Sequence, residues 1–103
     1  MERTSLREGD ADGVYAISVA AEMVSMQVQN LRVYERRGLL EPLRTAGGTR
    51  RYSRADIRRL VRIRDLLADG LNLAGIECVL ALEEQLARLR RENERLRRRP
   101  TSR

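Results

Sequence analysis

The residues best placed for chemistry lie between Met26 and Tyr52, and they are polar and basic. A helical pattern at the start of this stretch carries Gln29, Asn30 and Arg32, and a Gly-Gly turn near its end precedes two arginines. Amide and guanidinium groups on a helix can read base edges in a DNA groove. Arginines beside a turn suit phosphate oxygens, which position a protein without reading sequence. The combination predicts binding to duplex DNA.

The overall composition agrees with a polyanionic partner. The 103 residues carry a formal net charge of +6, and the isoelectric point is about 10.8. All 21 basic residues are arginine. A coding bias towards G and C explains this better than selection for bidentate phosphate or guanine contacts. The chain has no histidine, no glycine-rich phosphate loop opening a helix and no acid pair in an apolar setting, so we do not expect an enzyme.

The single cysteine limits the possible sites further. Cys78 cannot form an intrachain disulfide or a multi-thiolate metal site, and the usual nitrogen ligand, histidine, is missing. We therefore expect no metal and no cofactor. Cys78 is predicted to be a small core residue on an inward helix face, in preference to a redox sensor.

Four segments are expected along the chain. Residues 1–13, with four acids against two arginines, should form a disordered arm. Residues 14–78 should form a DNA-binding domain, 79–98 a coiled-coil helix and 99–103 a tail. No apolar run approaches the ~20 residues of a membrane span, and a signal-peptide core is missing. The expected location is the cytoplasm, with no membrane partner.

Two short helices in succession predict a helix-turn-helix. The first is expected at about Val19–Met23 with Ser18 as its N-cap, and the second at about 27–37. Leu31 and Tyr34 share one face of the second helix and should pack inward. This helix would lie in the major groove. Its outward and flanking polar residues are Gln29, Asn30, Arg32 and Arg36.

A basic hairpin, or wing, should follow the second helix. Gly38 is expected to end that helix in the left-handed conformation, and Pro42 favours an extended segment. The Gly-Gly pair supplies the turn, because glycine takes positive φ at little cost. The basic side chains of the hairpin are Arg44, Arg50 and Arg51.

Capping signals place two longer helices after the wing. Ser53 and Asp56 form a capping-box-like pair at the start of a third helix. Asn72 should cap a fourth helix that runs to about Arg98. Apolar residues of the fourth helix alternate at steps of three and four, which predicts a heptad seam and self-association. The seam comprises Val79, Leu86 and Asn93 at position a, and Leu82, Leu89 and Leu96 at position d.

Several motifs between Val14 and Leu82 resemble the DNA-binding domain of the MerR family of transcriptional regulators. They are LRVYERRGLL at 31–40, RTAGGTRRY at 44–52 and the following DIRRL helix, in the family's order and spacing. The runs ISVAAE, TAGGTRRYS and GLNLAGI are similar to the family's heat-shock repressor subgroup, HspR. The resemblance implies a mainly α-helical fold: a winged helix-turn-helix with a short two-stranded wing and a C-terminal coiled-coil helix.

The resemblance also implies DNA contacts from the second helix, the wing and the start of the third helix. Many family members carry an aromatic pair where this chain has Val33 and Tyr34. Val33 cannot donate a hydrogen bond to phosphate, although it could touch a thymine methyl. The family implies an antiparallel coil, whereas a buried Asn93 favours a parallel one, so the orientation stays open. The predicted DNA-binding set is Gln29, Asn30, Arg32, Tyr34, Arg36, Arg50, Arg51 and Arg54.

The function implied is regulation of transcription by a homodimer bound to an inverted repeat in double-stranded DNA. The sequence has no effector domain after the coil and no cysteine cluster for metal sensing, which favours a repressor. In the heat-shock repressor subgroup a DnaK-type chaperone acts as co-repressor, so such a chaperone is a candidate partner. The alternative is an accessory or nucleoid-type DNA-binding protein that uses the same domain without regulating genes.

Overall fold

The computed structural model describes residues 14–100, and these are mainly helical. The chain divides into two compact units between Asp69 and Gly70. The predicted arm at 1–13 and the end of the predicted tail, 101–103, lie outside the described residues. None of the helices within 14–100 has the length and apolar character needed to cross a membrane. The elements are α1 (Ile17–Met23), α2 (Val28–Arg36), β1 (Leu43–Arg44), β2 (Arg50–Arg51), α3 (Arg54–Ala68) and α4 (Leu73–Arg97).

The predicted helix-turn-helix is formed by α1 and α2, which pack together. The turn between them passes through Ser25, whose φ of 58° lies in the left-handed region. Its backbone is held by hydrogen bonds from Ser25 N to Glu22 O (3.1 Å) and from Met26 N to Ala21 O (2.9 Å). These bonds satisfy the backbone amides of Ser25 and Met26, which follow α1. The connection is short, and α2 begins at Val28.

The start of α1 differs from the prediction. The N-cap is Ala16, which makes no side-chain capping bond, and Ser18 lies inside the helix. The segment before α1 is fixed from far along the chain: Tyr15 N donates to Tyr52 O (2.8 Å), and Tyr52 N donates to Tyr15 O (2.7 Å). This pairing sets where the helix can begin, so the prediction that Ser18 is the N-cap is wrong.

The wing is an antiparallel hairpin, as the glycines predict. Leu43 pairs with Arg51 and Arg44 with Arg50. At the tip Gly48 adopts a φ of 89°, a value that a residue with a side chain rarely takes. Gly38 (φ 81°) ends α2 in the same left-handed region, so both glycine assignments are confirmed.

Helix α3 supports the helix-turn-helix and the wing. Ser53 and Asp56 form the predicted capping box in both directions, through bonds of 3.0 and 2.9 Å. Two arginines of α3 donate to backbone carbonyls of the connections that follow α2 and α1: Arg59 to Leu39 O (2.9 Å) and Arg64 to Val24 O (3.0 Å). The largest fully buried side chains of this first unit are Val24, Leu31, Tyr52, Leu60 and Ile63.

Helix α4 forms the second unit. Asn72 Oδ1 accepts a hydrogen bond from Gly75 N (2.8 Å), which confirms Asn72 as the predicted N-cap. The helix runs without interruption to Arg97, so it does not change at the boundary expected between residues 78 and 79. The chain divides earlier, at the left-handed Gly70 (φ 97°).

Cys78 is exposed, so its prediction as a core residue is wrong. Ile76 and Leu80 are the buried residues of α4. Cys78 lies two residues from each of them, and two residues turn a helix by about 200°. The buried side of α4 therefore faces away from the thiol.

Candidate nucleic-acid interface

The outer face of α2 carries most of the predicted DNA-binding residues. Leu31 and Tyr34 are buried at three-residue spacing, so the helix turns its remaining sides outward. The side chains of Gln29, Asn30, Arg32 and Arg36 are all exposed. The structure thus brings four of the predicted contacts onto one accessible helix surface.

Tyr34 does not belong to that surface. Its side chain is only 4% exposed, and burial raises the pKa of its hydroxyl above the usual value. The face of α2 that carries Leu31 into the core also carries Tyr34, as its spacing predicts. The contact of Tyr34 with DNA stays a prediction. Val33 next to it is half-buried.

A three-residue cluster, which we call the Glu35 clamp, joins α2 to both strands of the wing. One carboxylate oxygen of Glu35 accepts a bond from Arg44 Nη2 at 2.6 Å. The other oxygen accepts a bond from Arg50 Nε. Arg44 also donates from Nη1 to Gly48 O in the turn, at 3.0 Å. The clamp therefore runs from α2 through both strands to the tip of the wing.

Arg50, predicted to contact DNA, is committed to this clamp. Its hydrogen bond with Glu35 is the main cause of a pKa raised above the usual arginine value. Successive residues of a strand point to opposite sides, so Arg51 faces away from Glu35 and is exposed. Of the two wing arginines in the predicted DNA-binding set, Arg51 is therefore the more accessible. Arg54 at the start of α3 is also exposed.

Tyr52 follows β2, and its backbone pairing with Tyr15 fixes the end of the wing. Its side chain is fully buried, and its hydroxyl is the one buried side-chain polar atom within residues 14–100 that has no hydrogen-bond partner. The pKa of this hydroxyl is raised, mainly by burial and next by the charge of Glu35, while Arg50 and Arg32 act to lower it.

The sequence patterns above do not predict the Glu35 clamp. Glu35 is one of only two acids between Val28 and Tyr52, a stretch that contains six arginines. That isolation is the signal that could have marked it. Its arginine partners lie nine and fifteen residues further along the chain. Pairing across that separation depends on the hairpin fold, so periodicity within α2 does not reveal it.

The predicted association seam is largely exposed on α4. The exposed fractions are 62% for Leu82, 46% for Leu86, 66% for Leu89 and 46% for Leu96. Asn93 is also exposed, and Val79 is half-buried. Four leucines on one side of a helix form an apolar stripe of the kind that marks an interaction surface.

A helix-turn-helix followed by a two-stranded wing and a supporting helix defines the winged helix-turn-helix class. Residues 15–83 match the model of the MerR HTH family of regulatory proteins, and the chain belongs to this family. The predicted resemblance and the predicted fold class are both confirmed.

Relatives and solved structures agree with this membership. The chain is 51% identical over 77 residues to the putative heat shock protein HspR of Streptomyces coelicolor, covering 74% of this chain and 51% of that protein. It is 37% identical over 71 residues to the regulator GlnR of Bacillus cereus, covering 69% of this chain and 55% of that protein. The chain thus spans about half the length of the curated relatives it matches.

Two solved structures share the fold. One is HiNmlR, a MerR family regulator lacking the sensor domain, crystallised bound to promoter DNA. Its TM-score is 0.59 at 27% identity, covering 81% of this chain and 70% of that one. The other is the regulator PbrR691 from Ralstonia metallidurans CH34 in complex with lead(II). Its TM-score is 0.66 at 28% identity, covering 82% of this chain and 78% of that one.

Proposed function

We propose that this chain is a sequence-specific DNA-binding repressor of transcription that binds an inverted repeat as a homodimer. The observation that carries the proposal is the exposed polar face of α2 beside the exposed Arg51 of the wing. A recognition helix of this class reads base edges in the major groove, while flanking basic groups contact phosphates. The promoter-bound HiNmlR structure supports this use of the fold.

The residues divide by the contacts that their chemistry allows. Gln29, Asn30 and Arg32 have the amide and guanidinium groups that bind adenine and guanine edges in pairs of hydrogen bonds. Arg36, Arg51 and Arg54 are suited to phosphate oxygens, which lie on both sides of the groove. The first group is assigned to sequence reading and the second to positioning.

Dimer formation is assigned to the seam of α4. The four leucines are between 46% and 66% exposed in the single chain. A second copy of the same helix would cover them, and it would place two reading surfaces in a fixed relation. The symmetric pair would then bind half-sites about one helical turn, ~34 Å, apart, or a multiple of that distance.

The distribution of charge along α4 favours antiparallel pairing. The part from 73 to 87 holds three glutamates and no arginine, whereas the part from 88 to 97 holds five arginines and two glutamates. Parallel pairing would place like charges side by side along the whole coil, and antiparallel pairing places the basic part on the acidic part. This charge pattern outweighs the single Asn93, which favours the parallel arrangement.

Repression, the chaperone partner and the location rest on similarity to relatives. The HspR relative and the relative named as the transcriptional repressor CarH of Myxococcus xanthus, 35% identical over 65 residues, support a repressor. A DnaK-type chaperone is the proposed co-repressor because of the HspR similarity, and such a chaperone should raise the affinity of the dimer for its operator. The proposed location is the bacterial cytoplasm, on the nucleoid.

Selection of bound sequences from a random pool of duplex DNA tests the proposal. We expect an inverted repeat, bound at least about tenfold more tightly than random duplex of the same length. A preference of less than about tenfold would contradict the regulator and favour the accessory or nucleoid-type alternative. The spacing between the half-sites reports the separation of the two recognition helices.

A further inference from the structure

Glu35 is a carboxylate placed among the arginines of a surface that is otherwise basic. Its side chain is 18% exposed, and it uses both carboxylate oxygens, one for each strand of the wing. Its partners differ in accessibility: the side chain of Arg44 is 46% exposed and that of Arg50 is 27% exposed. The carboxylate of Glu35 therefore forms ion pairs with two guanidinium groups, on the side of the wing that faces α2.

The clamp has two physical consequences with opposite effects on binding. It fixes the wing against α2, because both strands and the carbonyl of Gly48 are tied to one carboxylate. It also engages two guanidinium groups that could otherwise contact phosphates, and its single negative charge offsets one of their two positive charges. Non-specific affinity depends on the number of phosphates neutralised, whereas specific binding depends on the relative placement of helix and wing.

We propose that Glu35 is a specificity-determining residue that holds Arg44 and Arg50 away from DNA phosphates and fixes the wing in the position that specific binding needs. The inference deepens the proposed function and rests on it. Glu35 lowers affinity for random DNA by engaging two cations, and it preserves affinity for the operator by ordering the wing. The ratio of specific to non-specific affinity is the quantity that it raises.

A purely structural strut would behave differently. Loss of a strut loosens the wing and lowers affinity for every sequence. Loss of the charge in Glu35 also frees two arginines beside the groove, so it should raise affinity for random duplex. The two accounts predict changes of opposite sign in the same measurement.

The test uses the full chain with Glu35→Gln, which keeps the size of the side chain and removes its charge. Glu41→Gln is the matched control, because Glu41 is exposed and its removal changes the net charge equally. Affinities for the selected inverted repeat and for a random duplex of equal length are measured over a series of salt concentrations. Thermal unfolding followed by circular dichroism confirms that both variants are folded.

We expect Glu35→Gln to bind random duplex more tightly than the unmodified chain does. Its salt slope should steepen by about one to two units, at roughly 0.9 per added phosphate contact. Its preference for the repeat should fall by about tenfold or more. Glu41→Gln should shift both affinities slightly and alike. Adding Arg44→Gln and Arg50→Gln to Glu35→Gln should remove the extra slope, since the freed cations are then gone.

Other results overturn the inference. Weaker binding to both duplexes at an unchanged salt slope would show that Glu35 has only a structural role. Equal behaviour of Glu35→Gln and Glu41→Gln would show a general charge effect. If Glu35→Gln does not fold, Arg44→Gln with Arg50→Gln in the natural background is measured instead, and a salt slope on random duplex lower by about one to two units there would show that these arginines already contact phosphates. Failure of the unmodified chain to prefer any repeat would contradict the proposed function itself, and the slope comparison on random duplex would still be informative.

Discussion

Arginine side chains of the first unit differ in what their guanidinium groups contact. Arg59 and Arg64 bind backbone carbonyls, and Arg44 and Arg50 bind the carboxylate of Glu35. Arg32 is exposed on the outer face of α2, and Leu31 is buried on the opposite face. Residue type and net charge alone do not separate these roles, although they correctly indicate a polyanionic partner.

Replacement of Arg32 by alanine should weaken binding to the selected repeat by about 1 to 3 kcal/mol, because a guanidinium that reads a base is lost. Binding to random duplex should fall by less. Arg51→Ala is the comparison variant: it should weaken binding to both duplexes alike and lower the salt slope by about one unit. Titrations of both duplexes by fluorescence anisotropy measure these changes. Equal losses on the two duplexes for Arg32→Ala would show that Arg32 contacts only phosphate.

Among the secondary-structure elements, those fixed by neighbouring residues were predictable from the sequence. Capping residues and turn glycines interact only with backbone within about four residues, and their predicted roles are confirmed. These are Ser53 with Asp56, Asn72, Gly38 and the glycines of the wing. The burial of Tyr34 also follows from the sequence, because Tyr34 lies three residues from Leu31 on one face of α2. Two features depend on distant parts of the chain and were not predictable: the start of α1 and the Glu35 clamp. Each is determined by packing or pairing that forms only when the wing returns to the helices.

Replacement of Ser53 by alanine should lower the free energy of unfolding by about 1 kcal/mol, because the Asp56 amide loses its acceptor at the start of α3. Ser53 is also nearly buried, so water cannot replace its hydroxyl. Ser18→Ala should change the free energy of unfolding by less than about 0.5 kcal/mol, because Ser18 is exposed and makes no cap. Urea unfolding measures both. A larger loss for Ser18→Ala than for Ser53→Ala would contradict the assignment of the caps.

For the whole molecule, single-cysteine variants can report the orientation of the pair. Full antiparallel overlap of the seam places Leu82 opposite Asn93 of the other chain, and parallel pairing places each residue opposite its own copy. In a Cys78→Ser background, Leu82→Cys alone and Asn93→Cys alone should not cross-link, because eleven residues of helix, about 16 Å, separate the thiols in the antiparallel pair.

The double variant, Leu82→Cys with Asn93→Cys, should form a disulfide-linked dimer under mild oxidation, as seen by non-reducing electrophoresis. Cross-linking of either single variant would instead show a parallel coil. Sedimentation of the reduced proteins should report dimers in all cases. A monomer at every concentration would remove the seam from the association surface.

If the exposed leucines of α4 form the proposed dimer interface, they make the concentration of active protein depend steeply on the concentration of chains. Only the dimer would be active. At chain concentrations below the dissociation constant of the dimer, the dimer concentration rises with the square of the chain concentration. A twofold rise in synthesis would then raise the amount of dimer about fourfold. Gene dosage and dilution by growth would thus act on the operator with a steeper response than a monomeric repressor gives.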